Sequence, residues 1–196
     1  MTHGEPFLQP ATIVLNAINE ATSGNWAAHS NQASSWSPPP LGWLKVNFDG
    51  SIHENNRAGL GCTIRNHVGE LIAASGVKAS SRSVNMTKLR SALTGLTVAK
   101  DFMDQVTGII LEGDSASTCS TLNQILSGLY LGDVETKLAR LMKECPRLVV
   151  PKIDRRANSA ADYVANQTCA RDFLWARGMP LPQTLVFILS HDSLPM

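Results

Sequence analysis

The stretch "KVNFDGSI", residues 45–52, decides the fold, because it has the pattern of a β-strand with an acid and a glycine at its centre. Val46 and Phe48 are residues that strands favour, whereas Asp49 and Gly50 are among those that strands use least. A charged side chain inside a strand is costly unless another group compensates it. Asp49 is therefore the first candidate for a functional residue.

The composition sets limits on the class of protein. The 196 residues, 43% hydrophobic and 17% charged, suffice for one ordinary core with some extra segments. With a formal charge of +1, the chain lacks the overall positive charge of many nucleic-acid-binding proteins. A nucleic acid would therefore have to bind at a local basic patch. The four cysteines show no CxxC spacing, which favours reduced thiols. Without a signal segment or a run of eighteen apolar residues, we expect a soluble intracellular protein without a membrane partner, in nucleus or cytoplasm.

Hydrophobic periodicity divides the chain into alternating elements. In chain order they are strands at 43–52, 58–66 and 70–77, a helix at 84–103, a strand "TGIILEGDS", two helices ending at Pro146, an edge strand "RLVVPKID" and a helix "ANSAADYVANQTCARDF". The order is β-β-β-α-β-α-α-β-α, a hairpin meander followed by βα units. It predicts an α/β domain with a mixed five-stranded sheet flanked by helices.

The segments at both ends differ from this pattern. Residues 1–40 are predicted as an N-terminal helix, with Ile13, Ala17 and Ala21 on one face of "PATIVLNAINEAT", followed by a proline-rich linker. We expect the compact domain at 41–173 and a C-terminal tail at 174–196. The apolar run in that tail could dock on the domain or bind a protein partner.

Three aspartates occupy positions where a site could form. Asp49 lies in the first strand, Asp114 ends the fourth strand and Asp162 lies in the last helix. Ligands of open α/β sheets bind beyond the strand ends, so acids gathered there suggest a site for a hard cation. Gly50 would let a metal or a phosphate approach the backbone. Each acid alone could equally be a cap, a turn residue or a solvent-facing group.

Four motifs together resemble a known family. They are "WSPPPLGWLKVNFDGS" (36–51), "AGLGCTIRNHVGEL", "LEGDS" and "RRANSAADYVAN". They are similar to the plant ribonuclease-H-like domains of retroelement-derived proteins in the reverse-transcriptase-associated group, and they occur in that family's order from about residue 36 to residue 173. The resemblance implies a ribonuclease-H-like fold.

The same resemblance implies an activity and a set of site residues. Family members hydrolyse the RNA strand of an RNA/DNA hybrid with two Mg²⁺ ions held by four carboxylates. Asp49, Asp114 and Asp162 match the first, third and fourth acids, which assigns them catalytic and metal-binding roles. Residues expected to contact the nucleic acid, an RNA/DNA hybrid or RNA, are Gly50, Ser51, Asn158 and Arg155.

Two positions depart from the family's pattern. Lys88 stands where the second acid should be, and Lys152 stands where the family has an auxiliary histidine. With Asn85 as the predicted N-cap, position 88 would suit the Glu of a capping box. Exchanging Glu for Lys changes the charge near a divalent ion by two units, so we expect Mg²⁺ binding to be weak or absent. The resemblance thus implies a degenerate centre with lost or severely impaired cleavage.

Two points about this site stay open in the sequence. Lys88 could point into solvent, or its ammonium could enter the Asp49/Asp114 cluster in place of a metal. Glu112, two residues before Asp114, could supply a replacement ligand or could be an ordinary strand residue.

Three functions remain compatible with these residues. The first is a non-catalytic nucleic-acid-binding domain with a basic rim. The rim candidates are Arg57, Arg65, Lys78, Arg82, Lys88, Arg90, Lys152, Arg155 and Arg156. The second is an active Mg²⁺-dependent hybrid ribonuclease that uses three aspartates. The third is a scaffold that binds protein partners through its N- or C-terminal segment.

Overall fold

The computed structural model describes residues 35–130 and 132–192 of the chain. Its strands are β1 (Trp43–Ile52), β2 (Arg57–Arg65), β3 (Leu71–Ser80), β4 (Gly108–Glu112), β5 (Leu148–Val149) and β6 (Phe173–Ala176). Its α-helices are α1 (Val84–Ala99), α2 (Ala116–Leu126), α3 (Asp133–Glu144), α4 (Ser159–Thr168) and α5 (Gln183–Asp192). The predicted N-terminal helix lies outside the described residues.

The strands form one mixed sheet in the order β5-β4-β1-β2-β3-β6. β1, β2 and β3 are a consecutive antiparallel meander, and β4 and β5 continue the sheet in parallel with β1. This arrangement confirms the predicted mixed sheet with flanking helices, and β5 lies at an edge as expected. The predicted number of five strands is wrong, because Phe173–Ala176 adds a sixth strand, antiparallel to β3.

The hydrophobic core fills the face of the sheet that α1, α2 and α3 cover. Alternate residues of β1, including Val46 and Phe48, point to this face. They pack with residues such as Leu89 of α1, Leu122 of α2 and Leu138 of α3, all of which are almost completely buried. This packing fixes α1 against β1, the strand that carries Asp49.

The opposite face of the sheet carries α4 and α5. Gly61 of β2 allows a close approach, because a Cβ there would lie 2.3 Å from the backbone nitrogen of Ala165 in α4. A smaller apolar cluster on this side includes Trp175 of β6 and Leu185 of α5, so residues after 173 help to cover the sheet. Trp36, which precedes the first strand, is only 4% exposed and packs against Ile153.

None of the helices in the described part of the chain combines the length and the hydropathy that a bilayer crossing requires.

Candidate active site

One surface pocket of about 440 Å³ is lined by all three predicted aspartates. Parallel pairing places Asn47 of β1 beside Glu112 of β4. Asp49 inside β1 and Asp114 just beyond the end of β4, each two residues farther on, therefore lie close together. Asp162 reaches the same pocket from the first turn of α4. The structure thus brings together three acids that are far apart in sequence.

Lys88 of α1 contacts two of these acids. Its Nζ lies 2.7 Å from Oδ1 of Asp49 and donates a hydrogen bond to Oδ1 of Asp114. The Lys88 side chain is 12% exposed, so the ammonium lies within the pocket and does not extend into solvent. Of the two arrangements open in the sequence, the structure shows the one in which Lys88 enters the acidic cluster.

Gly50 makes this contact possible. A Cβ at residue 50 would lie 2.7 Å from Cγ2 of Thr87 and 2.9 Å from its carbonyl carbon. Only a residue without a side chain lets the start of α1 approach β1 this closely. Gly50 also lines the pocket, but in this fold its missing side chain makes room for the helix that carries Lys88.

The predicted cap of α1 is wrong. Ser83 is the N-cap, and its hydroxyl accepts a hydrogen bond from the Met86 backbone N–H. Asn85 instead accepts a hydrogen bond from the Thr118 hydroxyl. Lys88 therefore lies beyond the first turn, and the capping-box argument against a lysine there does not apply.

Burial and charge act against each other at this cluster. Burial raises the pKa of Asp49 to about 6, although the contact with Lys88 lowers it and the nearby Asp114 adds to the rise. Burial also acts to lower the pKa of Lys88, but hydrogen bonds and charges from Asp114 and Asp49 outweigh it and raise the pKa above its ordinary value. Lys88 is therefore a stable ammonium at neutral pH.

Asp162 has a different partner. Arg155 Nη2 lies 3.9 Å from Asp162 Oδ1, in an ion pair whose side chains are 81% and 35% exposed. Both residues line the pocket, and most of the Arg155 side chain is accessible there. Ser51 also lines the pocket, and its hydroxyl donates to the carbonyl of Ala165 at 3.2 Å.

Asn158 does not reach the surface. It is 1% exposed, donates through Nδ2 to the Phe48 carbonyl at 3.0 Å and accepts a bond from Asn47 Nδ2 at 3.3 Å. Asn158 therefore has no accessible surface for the predicted contact with nucleic acid. Its observed contacts hold the start of α4, and with it Asp162, against β1.

Glu112 and Lys152 lie outside the pocket. Glu112 is 1% exposed, accepts a hydrogen bond from Asn47 at 2.9 Å and pairs with Lys45 Nζ at 3.3 Å. It is a partner of the buried polar residues of β1 and does not replace the missing acid. Lys152 is exposed, and its backbone forms an isolated parallel β-bridge with Gly113.

Sequence reasoning missed a buried polar cluster behind the acids. Lys45 and Asn47 share the strand face of Asp49, and Arg65 of β2 lies directly opposite Lys45. Arg65 is 1% exposed and binds Asp192 of α5 at 2.6 Å, so its predicted place in a basic rim is wrong. The alternation of polar residues in "KVNFD" was the signal that could have revealed this cluster.

The carboxylates of the pocket do not form a complete set of metal ligands. Within residues 35–130 and 132–192, no three His, Cys, Asp or Glu side chains come together in an arrangement that could hold a metal ion. The chemistry available at the pocket is that of an ammonium bridging two carboxylates, with a guanidinium at the edge.

Comparisons with known proteins agree with this architecture. A family model described as reverse transcriptase-like matches residues 47–168, more than half of the chain. The structure of RNase H1 from the halophilic archaeon Halobacterium salinarum NRC-1 is 21% identical, with a TM-score of 0.56 over 66% of this chain and 98% of that chain.

Two further solved structures are similar. LC11-RNase H1, solved in complex with an RNA/DNA hybrid, is 20% identical, with a TM-score of 0.55 over 65% of this chain and 96% of its own. The prototype foamy virus protease-reverse transcriptase is 12% identical, with a TM-score of 0.52 over 70% of this chain and 22% of its own. No curated protein matches the sequence. At these identities the structures show a shared fold.

Proposed function

Because the chain belongs to the reverse transcriptase-like family, we propose that it is a ribonuclease-H-like domain that binds nucleic acid and whose metal-dependent cleavage of RNA is lost or severely impaired. One observation carries the loss of cleavage: the Lys88 ammonium contacts the carboxylates of both Asp49 and Asp114. Asp49 lies in β1, and Asp114 follows β4, the parallel neighbour of that strand.

The residues present do not fit a pair of Mg²⁺ ions. Such ions would activate a water and stabilise the leaving oxygen of a phosphodiester. Here Lys88 already contacts Asp49 and Asp114, and Asp162 pairs with Arg155. Unit charges 4 Å apart interact by about 4 kcal/mol at a protein-surface dielectric, and about 1.4 kcal/mol is tenfold in affinity. The ammonium should therefore weaken divalent-ion binding by several orders of magnitude.

The charge distribution supports nucleic-acid binding. All 17 basic residues follow residue 34, together with 14 of the 16 acidic ones, so residues 35–196 carry a formal charge of +3. Arg155 is 81% exposed at the pocket, and Arg57, Lys78, Arg82 and Arg156 are also exposed. Such groups bind phosphates by charge without requiring a metal. A structure of the same fold was solved with an RNA/DNA hybrid, which makes a hybrid duplex the first ligand to test.

The first experiment measures cleavage of a labelled RNA/DNA hybrid with Mg²⁺ or Mn²⁺. We expect no metal-dependent cleavage by the wild-type chain and a gain of activity in Lys88→Glu, which returns a carboxylate to the cluster. Lys137→Glu makes the same charge change at an exposed position of α3 and should remain inactive. Cleavage by the wild-type chain that Asp49→Asn abolishes would instead establish an active three-aspartate enzyme.

A second measurement separates metal binding from catalysis. A ligand that binds only the folded state stabilises it by about 2.7 kcal/mol at a concentration of 100 Kd. The thermal unfolding midpoint of Lys88→Glu should therefore rise when Mg²⁺ is added, and that of wild type should not change. Equal shifts in both proteins would show that Lys88 does not compete with the ion.

The third experiment tests nucleic-acid binding by fluorescence anisotropy without a divalent ion. The affinity for the hybrid should fall steeply with salt, because phosphate contacts release counterions. Arg155→Gln should reduce the salt slope by about one, as expected for one lost phosphate contact. Lys137→Gln should leave the slope unchanged. Failure to bind any duplex at low salt would favour the scaffold function.

A further inference from the structure

Helix α5 is apolar on two sides. Leu185 is completely buried against the domain, yet Val186 is 48% exposed and Phe187 is 62% exposed. A helix on the surface of a globular domain normally presents polar residues to solvent. We call Val186 and Phe187 the outer face of α5. The ring of His191 lies 4.0 Å from that of Phe187, and both apolar side chains remain largely exposed.

Trp36, near the N-terminal boundary of the described residues, lies close to this helix. The ring of Trp36 lies 3.5 Å from the guanidinium carbon of Arg65, and Arg65 in turn binds Asp192, the last residue of α5. Phe187 precedes Asp192 by five residues, which is about 7.5 Å along a helix. The N-terminal segment therefore starts within a short distance of the outer face.

The sequence of that segment matches the chemistry of the outer face. Residues 10–22 have an apolar stripe of Ile13, Ala17 and Ala21 at helical spacing. A helix of this length is marginal in water and gains its stability by burying its apolar face. The 13 residues from 23 to 35 can span up to about 43 Å, so the linker permits the contact.

Charge also favours an intramolecular contact. Residues 1–34 have no Lys or Arg and include Glu5 and Glu20, whereas the rest of the chain has an excess of basic residues. A short covalent connection gives a segment an effective concentration well above that of a second copy in dilute solution.

We infer that residues 10–22 of this chain bind the outer face of α5 in the same molecule, with the stripe of Ile13, Ala17 and Ala21 against Val186 and Phe187. The contact would join the two ends of the chain on the sheet face that carries α4. It does not depend on the proposed nucleic-acid function, since it uses none of the pocket residues.

Photocrosslinking in the full chain tests this inference. A benzoyl-phenylalanine in place of Phe187 keeps an aromatic side chain at an exposed position and should form adducts with peptides from residues 1–34. The same group in place of Val68, an equally exposed residue of the β2–β3 turn, should form at least fivefold fewer such adducts. Mixing ¹⁴N- and ¹⁵N-labelled protein shows whether each adduct lies within one molecule.

Two variants of the N-terminal segment test the predicted face. Ile13→Asp places a charge in the stripe and should reduce the adduct yield at least fivefold. Asn19→Asp adds the same charge on the opposite side of the predicted helix and should leave the yield unchanged. The inference is overturned by the absence of adducts with residues 1–34, by adducts that join two copies, or by an equal response to the two variants.

Discussion

A single ammonium determines the chemistry of the pocket. Lys88 pairs with Asp49 and Asp114 where only about a tenth of each side chain is accessible, so water screens the interaction less than at an open surface. Removing one member of a buried pair leaves an uncompensated charge. Lys88 therefore has a structural role as a counterion for two acids that would otherwise repel each other.

Asp49→Asn should change how stability depends on pH. Burial raises the pKa of Asp49 from 3.8 to about 6, so the folded state binds this proton more tightly than the unfolded state. The contribution of Asp49 to stability is therefore greatest below about pH 4 and is lost as the pH rises through 6. The wild-type free energy of unfolding, minus that of Asp49→Asn, should fall by on the order of 3 kcal/mol between about pH 3 and about pH 7. Chemical denaturation at several pH values measures this difference, and parallel profiles would contradict the assignment.

Sequence motifs were sufficient to identify the acids but not their surroundings. The positions of Asp49, Asp114 and Asp162 follow from the order of strands and helices, because elements of known order meet at one end of the sheet. The direction of Lys88 does not follow, since a long side chain near a helix start can reach solvent or the pocket. The close approach of α1 to β1 at Gly50 directs the Lys88 side chain into the pocket. Burial of Asn158 likewise depends on contacts between distant segments.

Among the elements, α4 depends most on missing side chains in its partner strand. A Cβ at Gly59 or Gly61 would lie 1.9 Å or 2.3 Å from backbone atoms of Ala165. Backbone atoms cannot move aside as a flexible side-chain end can. These two glycines of β2 therefore set the distance between α4 and the sheet, and through it the position of Asp162.

Gly61→Ala should destabilise the domain by several kcal/mol, because the new methyl group overlaps the backbone of α4. Thermal or chemical denaturation measures the loss. Gly128→Ala is the matched control: a Cβ there would meet nothing within 4 Å, so only the left-handed backbone conformation, with φ at +88°, opposes the substitution. We expect that control to cost about 1 to 2 kcal/mol. Equal losses would show that α4 can shift without cost.

Strand β6 was missed because its signal is short. The run "FLWA" is four residues long and directly follows a helical pattern, so alternation cannot distinguish it from a helix end. Its place is fixed by tertiary packing, in which Trp175 lies beside Ala74 of β3 and is 8% exposed. The longer strands β1, β2 and β3 were predictable because each is a strand-like run of nine or ten residues, separated from the next by a short, turn-rich join.

At the scale of the whole molecule, residues near both ends of the described chain contact the same buried guanidinium, that of Arg65. Arg65 lies under the ring of Trp36 and binds Asp192 at the end of α5, while Glu112 adds a more distant negative charge. Composition shifts suggested that residues before 41 and after 173 were appendages. Composition cannot show a contact between residues 127 positions apart, and such contacts hold these segments on the sheet.

Asp192→Asn should destabilise the molecule by about 3 kcal/mol, since it removes the acid that compensates a fully buried guanidinium. The matched control is Glu70→Gln, which breaks the Glu70–Arg177 pair at 2.9 Å, where the side chains are 56% and 72% exposed. An exposed pair of this kind contributes at most about 1 kcal/mol. Denaturant titration compares the two free energies of unfolding. Equal losses would mean that Arg65 keeps its charge compensated without α5, and that the C-terminal helix is not anchored through this residue.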